Sequence, residues 1–458
     1  MADFDFRRKA YDQMLDWKRT KASKSALLVE GARRVGKTHL IRRFAKAEYE
    51  SCLFIDFSER GRQIQAIKRA FEESDDVPSL LERLQILSGV RLTPERSCVV
   101  FDEVQLFPIA REAIKRLVAY GRYHYIESGS LLGIRESVKD ILIPSEEHVL
   151  KLHPLDYEEF LWATDNELLA TEIRRCFAAG KAMDEALHEK ATALARQYLV
   201  VGGMPQSVEA FVAGGDQRLE RAEERKRDIL GLYERDIGKY ARGYAPKVRA
   251  IFRQIPSALN SHEKKFRLSD IDRNGRMRRY ENAFLWLADA MVANIAYNAT
   301  DPSVGLEMNL ESSSFKCYSL DTGLLLSQAM AGARDVDGRL LRGILYDRLG
   351  VNEGMFFENY VAQTLVSLGH DLFFYSKASP KMEIDFLIRD GIKVCPIEVK
   401  SAACRRHASL DALIARCAGR LGERFVVCTE SFAREGGITY LPFYMLHCLG
   451  HDACCLRG

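Results

Sequence analysis

Short apolar segments alternate with longer amphipathic segments over the first third of the chain. The apolar runs have the length of buried strands and lie at 25–30, 52–57, 97–101, 123–127 and 148–152. Helical patterns separate most of them, at 38–48, 61–73 and 109–120. Strands that alternate with helices favour a parallel α/β sheet. The pattern therefore predicts an α/β domain over residues 1–153.

The pattern changes after residue 153 and predicts four further segments. Residues 154–245 have a helical pattern, which predicts a helical connector or lid. Residues 246–330 combine helical stretches with a strand-like run at 295–297, an order that suits a small winged-helix domain. Residues 331–354 are rich in glycine and charge and predict a linker. Residues 355–458 begin with a helix and continue with runs typical of strands, which predicts a second α/β domain. Those runs lie at 371–376, 383–389, 393–399 and 424–429, with a helix near 409–420.

Composition narrows the class of protein. The 458 residues are 47% hydrophobic and 29% charged, so the chain can form ordinary cores. The formal net charge is +3, which is too balanced to indicate nucleic acid by itself. No apolar run approaches the roughly 18 residues that span a bilayer, and the N-terminus lacks a signal-like apolar region. Eleven cysteines without a CxxC pair indicate reduced thiols. Together these features predict a cytoplasmic protein without a membrane partner.

A phosphate-binding motif follows the first predicted strand. Residues 31–38 read GARRVGKT and match GxxxxGK[ST], between a strand and a helix. Backbone N–H groups of such a loop point at phosphate oxygens, Lys37 reaches the β- and γ-phosphates, and Thr38 ligates Mg²⁺. The predicted nucleotide-binding residues of this loop are Gly31, Ala32, Arg33, Arg34, Val35, Gly36, Lys37 and Thr38. No [NT]KxD motif for guanine is present, so ATP is favoured over GTP.

Acidic and polar residues follow two other predicted strands. Asp102 and Glu103 end the run CVVFDE, where Asp102 is predicted to contact Mg²⁺ and Glu103 to polarise the attacking water. Ser130 or Ser128, after the next strand, could sense the γ-phosphate, although both are also ordinary turn residues. Arg135 could be an arginine finger, but a surface charge is the favoured interpretation.

A second group of charged residues lies in the C-terminal region. Asp385, Glu398 and Lys400 form the pattern D–x12–E–x–K across two adjacent predicted strands. Alternation along a strand places Glu398 and Lys400 on one face. Asp385 and Glu398 supply hard oxygen ligands for Mg²⁺, Lys400 can activate water, and Glu358 on the preceding helix can add a third carboxylate. The same pattern also occurs on inactive amphipathic hairpins, which remains the alternative.

A local basic stretch lies between residues 262 and 280. It contains seven lysines and arginines against three acidic residues: Lys264, Lys265, Arg267, Arg273, Arg276, Arg278 and Arg279 against Glu263, Asp270 and Asp272. A basic helix-turn-helix contacts phosphates nonspecifically, which makes DNA a candidate partner. A solvated face, or a domain that packs only on the ATPase, explains the same charges.

The order of motifs resembles the prokaryotic AAA+-type ATPases that carry a C-terminal domain of unknown function with a restriction-endonuclease-like fold. The matching segments run from about residue 25 to 401: LLVEGARRVGKTHLIRRF, CVVFDEVQ, YIESGSLLG, HPLDYEEFL, YLVVGGMPQSV, YERDI, FKCYSLDTGLL, FFENYVAQTL and EIDFLI…PIEVKS. The resemblance implies an AAA-type P-loop core, a winged-helix segment and a PD-(D/E)xK-like C-terminal domain. It also implies ATP and Mg²⁺ as cofactors. Such ATPases often assemble, so a homo-oligomer is one implied state.

Two functions follow as expectations. The leading one is an ATPase that acts on nucleic acid, with a metal-dependent nuclease-like C-terminal domain that uses Asp385, Glu398 and Lys400. The alternative is an ATP-dependent switch or binding module whose C-terminal domain is a non-catalytic interaction platform. Metal between Asp385 and Glu398 favours the first, and carboxylates that are splayed or bridged by Lys400 favour the second. Relatives often carry a Gly-Arg pair before the HPLDYEEFL segment, but residues 141–146 read ILIPSE here.

Overall fold

Two units make up the chain in a computed structural model. The model describes residues 5–130, 144–241, 243–261, 264–272, 275, 277–303, 305–331, 341, 343, 353–379, 381–402 and 404–450. The first unit contains residues 7–153 together with 289–291, and the second contains residues 1–6, 154–288 and 292–458. Arg135 and most of the predicted linker at 331–354 lie outside the described residues.

The first unit is built on a five-stranded parallel sheet with the strand order β2-β3-β4-β1-β5. Its strands are β1 (Ala26–Glu30), β2 (Ser51–Asp56), β3 (Ser97–Asp102), β4 (His124–Gly129) and β5 (Glu147–Lys151). Its helices are α1 (Lys9–Thr20), α2 (Lys37–Glu48), α3 (Arg62–Glu73), α4 (Val77–Ser88) and α5 (Pro108–Tyr120). Every residue of β1 and β3 is buried, as expected for inner strands of a parallel sheet. The predicted α/β class and parallel sheet are thereby confirmed.

Aromatic packing and a capped helix complete the first unit. Phe57, Phe71, Phe101 and Phe107 pack with ring centroids 5.1–6.3 Å apart beside the sheet. The helix α4 was not predicted from the pattern, although its start signals are present in the sequence. The side chain of Asp76 accepts a hydrogen bond from the Ser79 N–H, and a proline occupies the first turn.

The second unit combines helices with an eight-stranded mixed sheet of order β12-β13-β11-β10-β9-β8-β6-β7. Its strands are β6 (Ala293–Ala299), β7 (Leu310–Ser319), β8 (Phe373–Lys377), β9 (Met382–Asp390), β10 (Lys393–Val399), β11 (Phe425–Cys428), β12 (Ala433–Glu435) and β13 (Ile438–Pro442). Its first helices are α6 (Tyr157–Ala163), α7 (Glu167–Ala178), α8 (Glu185–Val201), α9 (Pro205–Ala213) and α10 (Arg218–Tyr240). The later ones are α11 (Ala245–Asn260), α12 (Met277–Asp289), α13 (Thr322–Ala329), α14 (Glu353–Ser367) and α15 (Ala408–Cys417).

The sheet of the second unit joins two segments that the sequence pattern assigned to separate domains. Strands β6 and β7 come from the predicted winged-helix segment 246–330, whereas β8 opens the strand region of the predicted domain 355–458. Tyr297 pairs with Phe373 in a parallel register, and the Asn298 side chain accepts a hydrogen bond from the Ser376 N–H at 2.8 Å. The difference has a physical cause. Strand pairing across about 75 residues leaves no periodic signal in either segment.

Buried polar contacts tie the early helices of the second unit to α13 and α14. Asp321 is fully buried, and its carboxylate accepts hydrogen bonds from the N–H groups of Gly203 at 2.6 Å and Leu324 at 2.9 Å. Gln363 on α14 accepts from the Thr322 N–H and donates to the hydroxyl of Tyr198. A Cβ at Gly203 would lie 1.9 Å from the carbonyl oxygen of Leu155, so only glycine fits there.

None of the helices in the described part of the chain combines the length and the apolar character that a membrane span requires.

Replacing Asp321 by alanine is expected to loosen the junction of α8 and α13. The substitution leaves two buried N–H donors without an acceptor, at a cost of about 2–4 kcal/mol. Hydrogen exchange followed by mass spectrometry should therefore show amides of 198–208 and 320–326 exchanging at least roughly tenfold faster. The control is Asp228→Ala, which removes an exposed ion pair with Arg225 and should cost less than about 0.5 kcal/mol. Equal exchange rates in both variants would show that the Asp321 carboxylate does not hold the junction of α8 and α13.

Candidate functional site

The loop between β1 and α2 has the backbone shape of a phosphate cradle. Arg34 and Gly36 adopt left-handed backbone conformations, with φ of 72° and 95°, and α2 begins directly after Gly36. A Cβ at Gly31 would lie 2.4 Å from the carbonyl oxygen of Leu152, so the first glycine is required by close packing against the end of β5. The turn aims the first N–H groups of α2 into the concavity of the loop, where an anion is favoured.

Lys37 lies inside this loop. Its ammonium donates hydrogen bonds to the carbonyl oxygens of Gly31 at 2.9 Å and Ala32 at 3.1 Å. Burial lowers the pKa of Lys37, and the negative charges of Glu103 and Asp102 oppose that effect. The positive charge is therefore held where the loop would enclose a phosphate, within the influence of Asp102 at the end of β3 and of Glu103 directly after it.

Three side chains meet at the end of β3. The Thr38 hydroxyl donates to Asp102 Oδ2 at 2.8 Å, and the Ser128 hydroxyl donates to Asp102 Oδ1. Because β1, β3 and β4 run parallel and adjacent, their carboxyl ends bring the loop, the acid and the serine to one edge. Asp102 is only 1% exposed. A buried carboxylate with two hydroxyl neighbours is a set of hard oxygen ligands that suits Mg²⁺.

Glu103 follows Asp102 in a left-handed backbone conformation with φ of 53°, which is unusual for a residue with a side chain. Its carboxylate is half-buried and accepts a hydrogen bond from the side-chain amide of Gln105. The turn separates the two acids of the predicted pair. Asp102 joins the hydroxyl cluster, while Glu103 is held apart with a different hydrogen-bond partner.

The sequence offers two candidates for the serine that senses the γ-phosphate, Ser128 and Ser130. Ser128 is buried and is the residue that contacts Asp102. Ser130 is half-buried and is the last described residue before the gap at 131–143, so its nucleotide-sensing role stays a prediction. Ser128 lies within β4, beside β3, whereas Ser130 follows the end of the strand.

Arg8 is a supporting residue that the sequence pattern did not reveal. It lies just before α1, is 7% exposed, and donates to the carbonyl oxygens of Val35 at 3.2 Å and His153 at 2.6 Å. Burial and the nearby charges of Lys151 and Arg8 lower the pKa of His153 to about 4, so this histidine stays neutral beside the guanidinium. In the sequence, Arg8 was one charge among several in FRRKAYD.

The charged residues predicted for the C-terminal region divide into two groups in the second unit. Glu358 on α14 is fully buried and accepts hydrogen bonds from Lys264, from Lys316 at 3.0 Å and from the Tyr318 hydroxyl. Lys316 on β7 also lies 2.9 Å from Glu383 and 3.7 Å from Asp385. We call these six residues the Lys316 cluster: Lys264, Lys316, Tyr318, Glu358, Glu383 and Asp385.

The other group pairs the remaining members of the predicted motif. Lys400 lies 2.6 Å from Glu398 Oε1, and Glu398 Oε2 is buried without a hydrogen-bond partner. Asp385 connects the two groups through the backbone, because its Oδ2 accepts from the Val399 N–H at 2.8 Å. The structure thus brings Asp385 and Glu358 to Lys316 and pairs Glu398 with Lys400. Across the described residues, no three His, Cys, Asp or Glu side chains are grouped so that they could hold a metal ion.

The electrostatics of the Lys316 cluster are governed by the two lysines. Burial alone would raise the pKa of Glu358, but the charges of Lys316 and Lys264 outweigh it and lower that pKa to about 2. Burial and the Glu358 charge raise the pKa of Asp385 to about 6. Burial lowers the pKa of Lys316, yet Glu358, Asp385 and Glu383 together raise it above its ordinary value. Lys316 therefore stays an ammonium in the folded unit.

The predicted basic stretch is only partly available to a partner. Lys264 turns inward to Glu358, and Lys265 donates to the Ser376 hydroxyl at 2.9 Å. Arg267, Arg278 and Arg279 are exposed. Arg273 and Arg276 lie outside the described residues.

Comparison with protein families places a known domain on the nucleotide site. Residues 23–161 match the model described as AAA domain. Residues 23–161 are therefore similar to AAA domains, and this stretch contains the P-loop between β1 and α2. Two further models match the second unit, both described as domains of unknown function: DUF8612 over residues 192–335 and DUF4143 over residues 353–446.

Solved structures give weaker similarity. A Walker-type ATPase of Pyrococcus abyssi is 19% identical, with 71% of this chain and 96% of that chain covered and a TM-score of 0.40. The structure of Drosophila ORC bound to DNA is 14% identical, with 72% of this chain and 96% of that chain covered and a TM-score of 0.27. The Thermotoga maritima RuvB Holliday junction branch migration motor is 13% identical, with 65% of this chain and 90% of that chain covered and a TM-score of 0.28. The curated proteins include no match to the chain.

Replacing Arg8 by methionine is expected to weaken nucleotide binding without unfolding the domain. The change removes two charge-assisted hydrogen bonds, one to the P-loop carbonyl of Val35 and one to the carbonyl of His153. Their loss is expected to cost about 1.4 kcal/mol of binding, or roughly tenfold in Kd. Isothermal titration calorimetry with ATP and Mg²⁺ measures the effect. Arg19→Met is the matched control, because Arg19 lies on α1 and is 73% exposed in its side chain. An unchanged Kd in Arg8→Met would show that Arg8 does not support the loop.

Proposed function

We propose that the chain binds ATP with Mg²⁺ and hydrolyses it at the loop between β1 and α2. The observation that carries this proposal is the meeting of Thr38, Asp102 and Ser128 at the sheet edge, where the Asp102 charge also acts on the ammonium of Lys37. The family match over residues 23–161 supports the same activity. The absence of a guanine-recognition motif from the sequence favours ATP over GTP.

Each residue has a separate role in this proposal. The N–H groups of residues 31–38 and the ammonium of Lys37 bind the β- and γ-phosphates and offset their charge. Thr38 and Asp102 are the residues that would hold Mg²⁺, which supplies charge stabilisation to the transferred phosphoryl group. Ser128 orients the Asp102 carboxylate through its hydrogen bond. Glu103, held by Gln105, accepts the proton of the attacking water.

The strained backbone of Glu103 supports its catalytic role. Left-handed conformations in residues other than glycine cost of order 1 kcal/mol or more and persist where the surrounding structure enforces them. In this conformation Glu103 accepts from Gln105, whereas Thr38 and Ser128 donate to Asp102. A general base must be separate from the metal ligand, because a carboxylate that binds the ion is a poor proton acceptor.

Substitutions in the two roles are expected to have different effects. Lys37→Ala should abolish ATP hydrolysis and weaken ATP binding, because the phosphate charge loses its ammonium partner. Glu103→Gln should retain ATP binding and lower kcat by roughly 100-fold or more, because only the base is removed. A phosphate-release assay and calorimetry measure the two quantities.

The control for these variants is Lys46→Ala, since Lys46 is exposed near the other end of α2. Wild-type protein that turns over no ATP, with or without DNA, would show the proposal to be wrong. Equal kcat in Glu103→Gln and wild type would remove Glu103 from the mechanism alone.

For the second unit we propose nucleic acid as the partner class, with two candidate modes of action. In the first, Asp385, Glu398 and Lys400 cleave nucleic acid with a divalent metal. In the second, the unit is a non-catalytic platform whose partner binding depends on the ATP state. The pairing of Glu398 with Lys400, and of Glu358 and Asp385 with Lys316, favours the second mode. The exposed arginines of α12 support a phosphate-containing partner.

DNA is expected to stimulate the ATPase rate, and the stimulation should fall steeply between 50 and 200 mM salt, by roughly tenfold or more if several phosphates are contacted. The double variant Arg278→Gln with Arg279→Gln should reduce the stimulation while the basal rate is unchanged. Its control is Arg221→Gln with Arg225→Gln, which removes two exposed arginines from α10. Stimulation that is insensitive to salt and to both double variants would exclude α12 as the nucleic-acid contact.

A further inference from the structure

The Lys316 cluster gathers three carboxylates, Glu358, Glu383 and Asp385, around one ammonium. The carboxylates come from α14 and β9, and β9 pairs with the β10 strand that carries the ExK segment. Carboxylate oxygens are also the ligands that Mg²⁺ and Mn²⁺ prefer. In this chain the cation among these carboxylates is the ammonium of Lys316.

The Lys316 ammonium has the hydrogen-bonding geometry that these carboxylates require. Lys316 has three N–H donors, and Glu358 and Glu383 accept at 3.0 and 2.9 Å while Asp385 lies 3.7 Å away. The Lys316 side chain is fully buried, and its ammonium lies 5.2 Å from the ring centroid of Phe374. Lys316 lies in the part of β7 that pairs in register with β6, opposite Ala296, so the lysine stem cannot swing out without disturbing that packing.

The charges lead to the same conclusion. Three carboxylates face two ammonium groups, those of Lys316 and Lys264, and Glu358 also accepts from the Tyr318 hydroxyl. A divalent cation within about 4 Å of a buried ammonium would be strongly repelled, since the dielectric screening there is weak. Glu398, the remaining carboxylate of the motif, is paired with Lys400.

We propose that the ammonium of Lys316 is the permanent cation of this carboxylate cluster, and that the second unit therefore binds no divalent metal there. In the wild-type unit the three carboxylates are arranged around the ammonium and not as a metal site. Once the Lys316 charge is removed, they are free to rearrange around a divalent ion. The proposal concerns the second unit alone and does not depend on ATP hydrolysis. It distinguishes this unit from a metal-dependent nuclease at the level of a single residue.

The test compares Mn²⁺ binding in wild type and in Lys316→Met, without nucleotide. Both carry Asp102→Asn so that binding at the P-loop is not counted. Electron paramagnetic resonance should detect no site in the wild-type cluster up to about 1 mM Mn²⁺. It should detect one site in Lys316→Met, where the carboxylates have lost their cation. Mn²⁺ should also raise the Tm of Lys316→Met by roughly 5 °C, because a ligand that binds only the folded state stabilises it.

Three further variants distinguish a specific metal site from nonspecific stabilisation of a destabilised protein by Mn²⁺. Lys226 is a second buried lysine of this unit, paired with a single carboxylate, Glu223, at 2.9 Å. Lys226→Met should be destabilised without any rescue by Mn²⁺. Adding Asp385→Asn to Lys316→Met should weaken the Mn²⁺ signal at least roughly tenfold. Lys316→Arg keeps the charge and should bind no Mn²⁺, which supplies a readout if Lys316→Met fails to fold.

Two results would overturn the proposal. The first is Mn²⁺ bound to the wild-type second unit and lost on Asp385→Asn, especially with metal-dependent nicking of plasmid DNA that the same substitution removes. The second is a folded Lys316→Met with no Mn²⁺ site. Neither result bears on the P-loop, so failure here and failure of the ATPase proposal are told apart by the phosphate-release assay.

Discussion

A buried carboxylate needs a donor or a cation to match it, and this requirement organises both units. Asp102 is matched by the hydroxyls of Thr38 and Ser128, which assembles the nucleotide site. Asp321 is matched by backbone N–H groups that join α8 to α13. Glu358 is matched by two lysines and a tyrosine from other elements. Leaving any of these groups unmatched would cost several kcal/mol, roughly a third or more of a typical domain's stability.

Glu127 shows the other way in which a carboxyl group is buried. It lies on β4 in the core of the first unit, and neither of its oxygens has a hydrogen-bond partner. Burial and the charge of Glu147 raise its pKa well above the ordinary value, although the Arg111 guanidinium opposes them. Arg111 is already held by a bidentate pair with Glu147. Burial therefore favours the neutral form of Glu127, whereas two lysine partners lower the pKa of the equally buried Glu358.

Local patterns predicted most of the first unit. The apolar runs at 25–30 and 97–101 became β1 (Ala26–Glu30) and β3 (Ser97–Asp102), and the motif at 31–38 became the loop between a strand and a helix. These features depend on neighbours in the sequence, so the sequence displays them directly. The pattern did not predict α4, although its capping residue is adjacent in the sequence, because its apolar positions were not recognised as a separate helical repeat.

In the second unit most individual elements were also predicted, but their assembly was not. The expected winged helix and the expected C-terminal domain share one sheet, and the restriction-endonuclease-like fold stays a prediction. Joining β6 to β8 depends on pairing between segments far apart in the chain. Asn298 contributes to that pairing with its side chain, yet a single asparagine in a strand carries no signal for its partner.

The sequence alone determined the nucleotide loop, its acidic strand and the order of strands and helices, because spacing and periodicity are properties of neighbouring residues. Only the tertiary structure decided that Ser128 reaches Asp102, that Arg8 supports the loop, and that Lys316 enters the carboxylate cluster. Lys316 lies 42 residues from Glu358 in the chain, in the run FKCYS, where it looks like any strand lysine. The role of Lys316 can be recognised only in the folded chain, where three carboxylates lie near its ammonium. Electrostatic interactions depend on distance in space and not on separation along the sequence.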